Sequence, residues 1–135
     1  MISTRGRYAL RVMLDIAEHS NGNFIRLDDI AERQEISEKY LESILTVLTR
    51  SNLLIGARGK GGGYKLARLS EEYTVGEILR LTETSLCAVA CLKQGAEPCS
   101  RREVCKTLPL WIGLDNVVNN YLDSVTLSSL LKAQN

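Results

Sequence analysis

Four cysteines, Cys87, Cys91, Cys99 and Cys105, fall within nineteen consecutive residues of a 135-residue chain. Their pattern is Cys-x3-Cys-x7-Cys-x5-Cys, with Arg101, Arg102 and Lys106 beside the later thiols. Cationic neighbours lower a thiol's pKa and favour the thiolate, the form that binds metal or reacts with oxidants. Three chemistries compete for such a set. An iron–sulfur cluster needs thiolates on a loop able to wrap it. Structural zinc more often uses paired Cys-x2-Cys knuckles, which are absent here. A thiol switch needs only two of the four.

A second group of residues suits phosphates and base edges. Ser37, Lys39, Tyr40, Ser43, Thr46 and Arg50 lie along one stretch, and Arg58, Lys60 and Lys65 flank a glycine-rich run from Gly56 to Gly63. Together they offer hydroxyls and cations. A nucleotide-binding P-loop is excluded at Gly56 to Lys60, because the spacing is wrong and neither a Ser/Thr nor a helix follows Lys60. The single histidine, His19, reads as a solvated helix-end residue far from the cysteines. No paired carboxylates and no Ser/His/Asp set stand out, so the chain reads as a non-enzyme without a small-molecule substrate.

The elements that must position these residues follow from periodicity. Ala9, Val12, Met13, Ile16 and Ala17 predict a helix from Tyr8 to about Glu18 that ends at Ser20 to Asn23. Leu27, Ile30 and Ala31 predict a short second helix with Asp28 and Asp29 in its first turn and a poor cap at Arg26. After a turn at Gln34 and Glu35, Ser37 is a sound N-cap for a third helix that buries Leu41, Ile44, Leu45 and Leu48. Two helices joined by so short a turn form a helix-turn-helix. Leu53 to Ile55 and Tyr64 to Leu66 around the glycine-rich tip predict a β-hairpin. Thr74-x-x-Glu77 has the form of a capping box and opens a further helix through Val75, Ile78 and Leu79. The cysteine segment, broken by Gly95 and Pro98, predicts a loop. Pro109 then opens a long helix whose apolar positions run from Leu110 and Trp111 through Leu114, Val117, Val118, Tyr121, Leu122 and Val125. Thr126 to Leu131 adds a short amphipathic tail.

This order, three helices and then a hairpin with a basic glycine tip, is that of a winged helix-turn-helix, mainly α and of the α+β type. It predicts three segments: a DNA-binding domain at 1–84, a cysteine-containing sensor loop at 85–108, and a dimerisation helix with its tail at 109–135. The third helix is expected in the major groove of double-stranded operator DNA and the wing on the backbone or in the minor groove. A long helix so apolar on one face needs a partner, and a second copy of the chain is the economical one, so a homodimer is expected.

Composition agrees. Hydrophobic residues make up 44% and charged residues 24%, the balance of a globular chain. The net charge of +1 conceals an asymmetry, with eleven Lys/Arg against eight Asp/Glu in residues 1–68 and six against eight in the remainder. The basic front half suits a polyanionic partner. No apolar signal core follows Met1 and no run is long enough to span a bilayer, which predicts a cytoplasmic protein without a membrane role.

The sequence resembles the Rrf-two family of winged-helix transcription regulators, whose members sense iron–sulfur status, nitric oxide or cysteine metabolism. The resemblance spans nearly the whole chain. It rests on Ser3-Thr4-Arg5-Gly6-Arg7-Tyr8-Ala9 and Met13-Leu14-Asp15-Ile16-Ala17, on Ile36-Ser37-Glu38-Lys39-Tyr40-Leu41-Glu42, on Arg58-Gly59-Lys60-Gly61-Gly62-Gly63-Tyr64, and on three loop cysteines ahead of Leu110-Trp111. It implies DNA contacts at Ser37, Tyr40, Glu42 and Arg58, with Glu42 discriminating at a base because a carboxylate repels phosphate. It also implies an iron–sulfur cluster, of the 2Fe-2S type, on Cys91, Cys99 and Cys105. Two departures leave the fourth ligand open. The x7 spacing is longer than the x5 of cluster-binding members, and Leu108 stands where those members have a histidine. Arg7 occupies the first-helix position that supplies a ligand in other members, and it is a poor one. Cys87 is the local candidate, one turn before Cys91 if the preceding helix persists; its plainer reading is a half-buried thiol at a helix end. The main alternative is a regulator of the same fold without a cluster, controlled by a thiol switch or by a partner protein. A zinc-stabilised protein-interaction module is the alternative of another class.

Overall fold

The computed structural model describes residues 2–133, so Met1, Gln134 and Asn135, at the outer ends of the first and third expected segments, lie outside it. Six α-helices and one hairpin follow in the order α1 (Thr4–His19), α2 (Leu27–Gln34), α3 (Glu38–Arg50), β1 (Leu54–Ala57), β2 (Gly63–Leu66), α4 (Val75–Thr82), α5 (Leu108–Ser124) and α6 (Leu127–Lys132). Helix α1 begins a full turn before its first apolar stripe residue. Ser3 caps it, its Oγ accepting from the Gly6 amide, and that cap extends the helix back from Tyr8 to Thr4.

The core is built around α1. Ala9, Val12, Met13 and Ile16 are fully buried, packed with Ile30 of α2 and with Leu41, Ile44, Leu45 and Leu48 of α3. Burying the four α3 side chains is worth roughly 6–12 kcal/mol in transfer free energy. That far exceeds the ~1 kcal/mol of an N-cap. Burial therefore fixes α3, and its polar face is free for other work. The segment expected as a tail is part of the core, because Leu127 of α6 is fully buried beside α1 and the Leu127 amide donates to the Tyr73 carbonyl.

One carboxylate is buried in this core. Asp15 accepts from Arg33 through both oxygens, at 2.7 and 3.0 Å, and from Gln34 at 2.8 Å, which joins α1 to α2. His19, at the end of α1, turns its Nδ1 to the Asp15 carbonyl at 2.9 Å. Arg11 adds contacts to the side chain and carbonyl of Gln34. Burial pushes the Asp15 carboxyl up, but the Arg33 and Gln34 hydrogen bonds and the charges of Arg33 and His19 together hold it below its ordinary value.

The hairpin pairs antiparallel with Leu54 opposite Leu66 and Ala57 opposite Gly63. Ile25 adds a third, single-residue rung, exchanging two 2.8 Å hydrogen bonds with Tyr64. Gly63 permits this, since its φ is +137° and a Cβ there would collide with the Ile25 carbonyl. Among the described residues no helix is long and apolar enough to cross a membrane.

A carboxyl held low in the fold stabilises the protein above its unfolded pKa, about 4, and that contribution disappears as pH falls through the folded value. Denaturation of the native chain and of Asp15→Asn at pH 6 and pH 3 should show a steeper acid loss in the native chain. Equal losses would remove Asp15 from the acid response.

Candidate nucleic-acid interface and cysteine loop

Glu35 takes the left-handed conformation, with φ of 54°, and so turns the chain sharply between α2 and α3. Ser37 then caps α3 as its sequence predicts, its Oγ accepting from the Tyr40 amide at 3.2 Å. The hydroxyls of Ser43 and Thr46 donate back to the carbonyls of Tyr40 and Glu42, which leaves their oxygens free as acceptors. Tyr40 is half-buried, set edge-on against Tyr8 with ring centroids 5.9 Å apart, and the Arg11 guanidinium stacks 4.9 Å from the Tyr8 ring. Ser37, Lys39, Glu42 and Arg50 are exposed, as are Arg58 and Lys60 on the wing. Among the described residues none of these charged groups has an ion-pair partner.

Two grooves lie between α3 and the wing. One, of about 330 Å³, brings Arg50 of α3 to Arg58 of the wing, with Thr46, Thr49 and Tyr64 between them. The other, of about 600 Å³, runs along the glycine tip and places Lys60 with Glu38 and Arg26. Lys65 is not part of either groove. Tyr64 faces them, strand residues alternate sides, and Lys65 lies on the far face with its ammonium 4.7 Å from the Phe24 ring centre.

Three contributors were not legible in the sequence. Arg5 of α1 donates to the Ser43 carbonyl at 3.3 Å and so brings a further cation against α3. Thr49, beside the groove, has a buried hydroxyl without a hydrogen-bond partner among the described residues. Tyr73 is fully buried under the wing, its phenol accepting from the amides of Ala67 and Arg68 and donating to the Leu53 carbonyl at 2.7 Å. That oxygen uses its full capacity to hold the two ends of the hairpin together.

The helix α4 does not persist towards the cysteines. Thr74 caps it through the Glu77 amide, but Glu77 completes no capping box, because its carboxylate is drawn 2.7 Å from Arg68. The helix stops at Thr82, so Cys87 is not one helical turn before Cys91. Instead the Cys87 thiol donates to the Leu92 carbonyl at 3.3 Å, in a loop whose only regular pieces are short 3₁₀ turns at Ala90–Leu92 and Arg102–Val104. Leu86 is buried at the loop's start, and the Ala88 amide donates to Asp115 of α5. Cys99 is exposed and the other three cysteines are half-buried. The Cys105 thiol is held below its ordinary value chiefly by the Thr107 hydroxyl and amide, and less by the charge of Arg101. Among the described residues no three His, Cys, Asp or Glu side chains stand together as a metal site. The donor set still suits a thiophilic metal centre, since it consists of several accessible thiols on a loop with few anchors.

Helix α5 divides its apolar residues between two faces. Trp111, Val118 and Leu122 are half-buried, and Leu122 packs on Val75 and Leu79 of α4. Arg80 of α4 holds Asp123 and Asn119 on the same side. The second stripe is Leu110, Leu114, Val117 and Tyr121, which are 59%, 39%, 67% and 67% exposed.

Removing the Tyr73 hydroxyl leaves two amides and a carbonyl without their partner. Tyr73→Phe should cost about 1–3 kcal/mol in urea denaturation. A loss under about 0.5 kcal/mol would show that the phenol does not hold the wing.

A family model described as Rrf2, iron-dependent transcriptional regulator, matches residues 2–133. The HTH-type transcriptional regulator IscR of Erwinia tasmaniensis is 38% identical over 133 residues, covering 98% of this chain and 79% of that protein. Among solved structures, CymR, the global cysteine regulator of B. subtilis, superposes with a TM-score of 0.80 at 33% identity, over 100% of this chain and 98% of that one. IscR of T. potens superposes with a TM-score of 0.76 at 34% identity, over 100% of this chain and 93% of that one.

Proposed function

The chain belongs to the Rrf2 family of transcriptional regulators, a non-enzymatic family, and from that premise we propose that it is a homodimeric repressor that binds operator DNA and reads iron–sulfur, redox or nitric-oxide status. The observation that carries the DNA reading is the pairing of Arg50 and Arg58 across the groove between α3 and the wing. Ser37, Lys39, Tyr40, Glu42 and Ser43 offer donors and acceptors along α3, and Lys60 adds charge at the wing tip. Glu42 is the discriminating residue, tolerated at a cytosine amine and repelled by phosphate. The exposed α5 stripe supplies the dimer surface, which would set two recognition helices on one duplex. Lys65, turned towards Phe24, serves the wing's outer face or a backbone phosphate at its edge.

In this reading Cys91, Cys99 and Cys105 hold an iron–sulfur cluster of the 2Fe-2S type, with Cys87 the candidate for the fourth position. A bound cluster supplies a redox- and nitric-oxide-sensitive centre. The chain's own part is to offer thiolates, with Cys105 already biased towards that form by Thr107, and to let the state of the loop alter operator affinity by linkage. The likeness to the cysteine regulator CymR supports a second reading, the same fold with a thiol switch or a partner protein in place of a cluster.

Anaerobically purified protein separates the two readings. The cluster reading predicts visible absorption with stoichiometric iron and sulfide, lost on Cys99→Ser; colourless, iron-free protein that binds operator tightly supports the switch. On the DNA side, Arg58→Ala should weaken binding to a selected duplex by about 1–3 kcal/mol in titrations at fixed salt. Unchanged affinity would remove Arg58 from the interface.

A further inference from the structure

At the junction between the cysteine loop and α1, Glu83 supplies the polar contact, beside an apolar cluster that contains Leu86 and against which Leu10 of α1 packs. Glu83 is the first residue after α4, where its own amide still donates to the Leu79 carbonyl at 2.8 Å. Its Oε1 accepts from both the amide and the hydroxyl of Ser3, at 2.9 and 2.8 Å, across eighty residues of sequence. The Ser3 hydroxyl in turn accepts from the Gly6 amide, so the cap of α1 and the end of α4 share one hydrogen-bond unit. The first turn of α1 has no acidic residue of its own, and Glu83 supplies the negative charge that its dipole favours. A Cβ at Gly6 would push the Glu83 carboxylate off this contact.

The two ends of this unit face different ways. On one side, Arg5, next to Gly6, holds the Ser43 carbonyl of α3. On the other, Glu83 is four residues before Cys87, and both line a groove of about 480 Å³ with Arg80, Lys93 and Asn119. That open space leaves room for side chains at the start of the loop to rearrange around the buried Leu86.

We propose that Glu83 is a positioning residue that couples the cysteine loop to the recognition helix, acting through the Ser3 cap of α1 and through Arg5 on α3. A loop that pulls Glu83 away releases the Ser3 cap from its anchor and shifts Arg5 against α3. By reciprocity, DNA held on α3 changes the loop. This coupling rests on the DNA-binding reading given above.

The test is amide hydrogen exchange in the full-length, reduced, cluster-free protein, with and without a duplex that the native chain selects from a random-sequence pool. Exchange over residues 84–92 should change about fivefold or more when the duplex binds, the lower range of allosteric coupling. Glu83→Ala should abolish the change in the loop while α3 remains protected, and Glu83→Gln, which keeps the accepting oxygen, should restore it. Should Glu83→Ala fail to fold, Gly6→Ala breaks the same contact from the other side, and the native chain alone already decides. Protection of α3 with no change at 84–92 in the native chain overturns the coupling and leaves DNA binding standing. Failure to select any duplex overturns both.

Discussion

The structure depends on α1, which packs against α2, α3, α4, α6 and the strand β2. Its Ala9, Val12, Met13 and Ile16 are fully buried in the cluster that holds the apolar face of α3, and that packing places α3. Several polar groups tie it to its neighbours: its cap Ser3 to Glu83 at the end of α4, Arg5 to α3, and Arg11 and Asp15 to α2. A helix held this way cannot tilt towards one neighbour without disturbing the others. The surface formed by α3 and the wing therefore behaves as one body whose orientation α1 sets, with the wing tied in by Tyr73 and by the Ile25 rung.

The cysteine loop has the opposite character. Apart from Leu86 and the Ala88 amide it has little to fix it, and it lies between α4 and α5, two elements that do pack. A sensor segment should be drawn from the least stable part of a fold, since it must change arrangement at small energetic cost. A loop that wraps a cluster takes its final shape from the metal–sulfur bonds, because these far outweigh the few contacts it makes without them.

The fold was largely legible in the sequence, because α1, α3, the hairpin and α5 each repeat apolar residues at their own period. Ser37 was legible as well, since a cap bonds an amide three residues on. What could not be read were partners far apart in the chain. Glu83 and Ser3 are 80 residues apart, Arg5 and Ser43 are 38 apart, Tyr73 and Leu53 are 20 apart, and Asp15 and Arg33 are 18 apart. No local pattern encodes such pairs. The α5 stripe was visible as a whole, but its division into a face on α4 and a free face depends on where α4 lies. The condition that would have put Cys87 one turn before Cys91, a helix persisting that far, is not met for the same reason: Glu83 leaves the helical path to meet Ser3, and Cys87 is the half-buried thiol of its plainer reading.

The proposed function requires a pair of α3 helices, each braced by α1 and flanked by its wing, that α5 sets on one duplex. Hydroxyl-radical footprinting of a selected duplex tests it most directly. The account predicts two protected half-sites related by a two-fold axis and separated by about one helical turn, 10–10.5 base pairs, or a multiple of it. A single protected half-site, or uniform weak protection along the duplex, would contradict it.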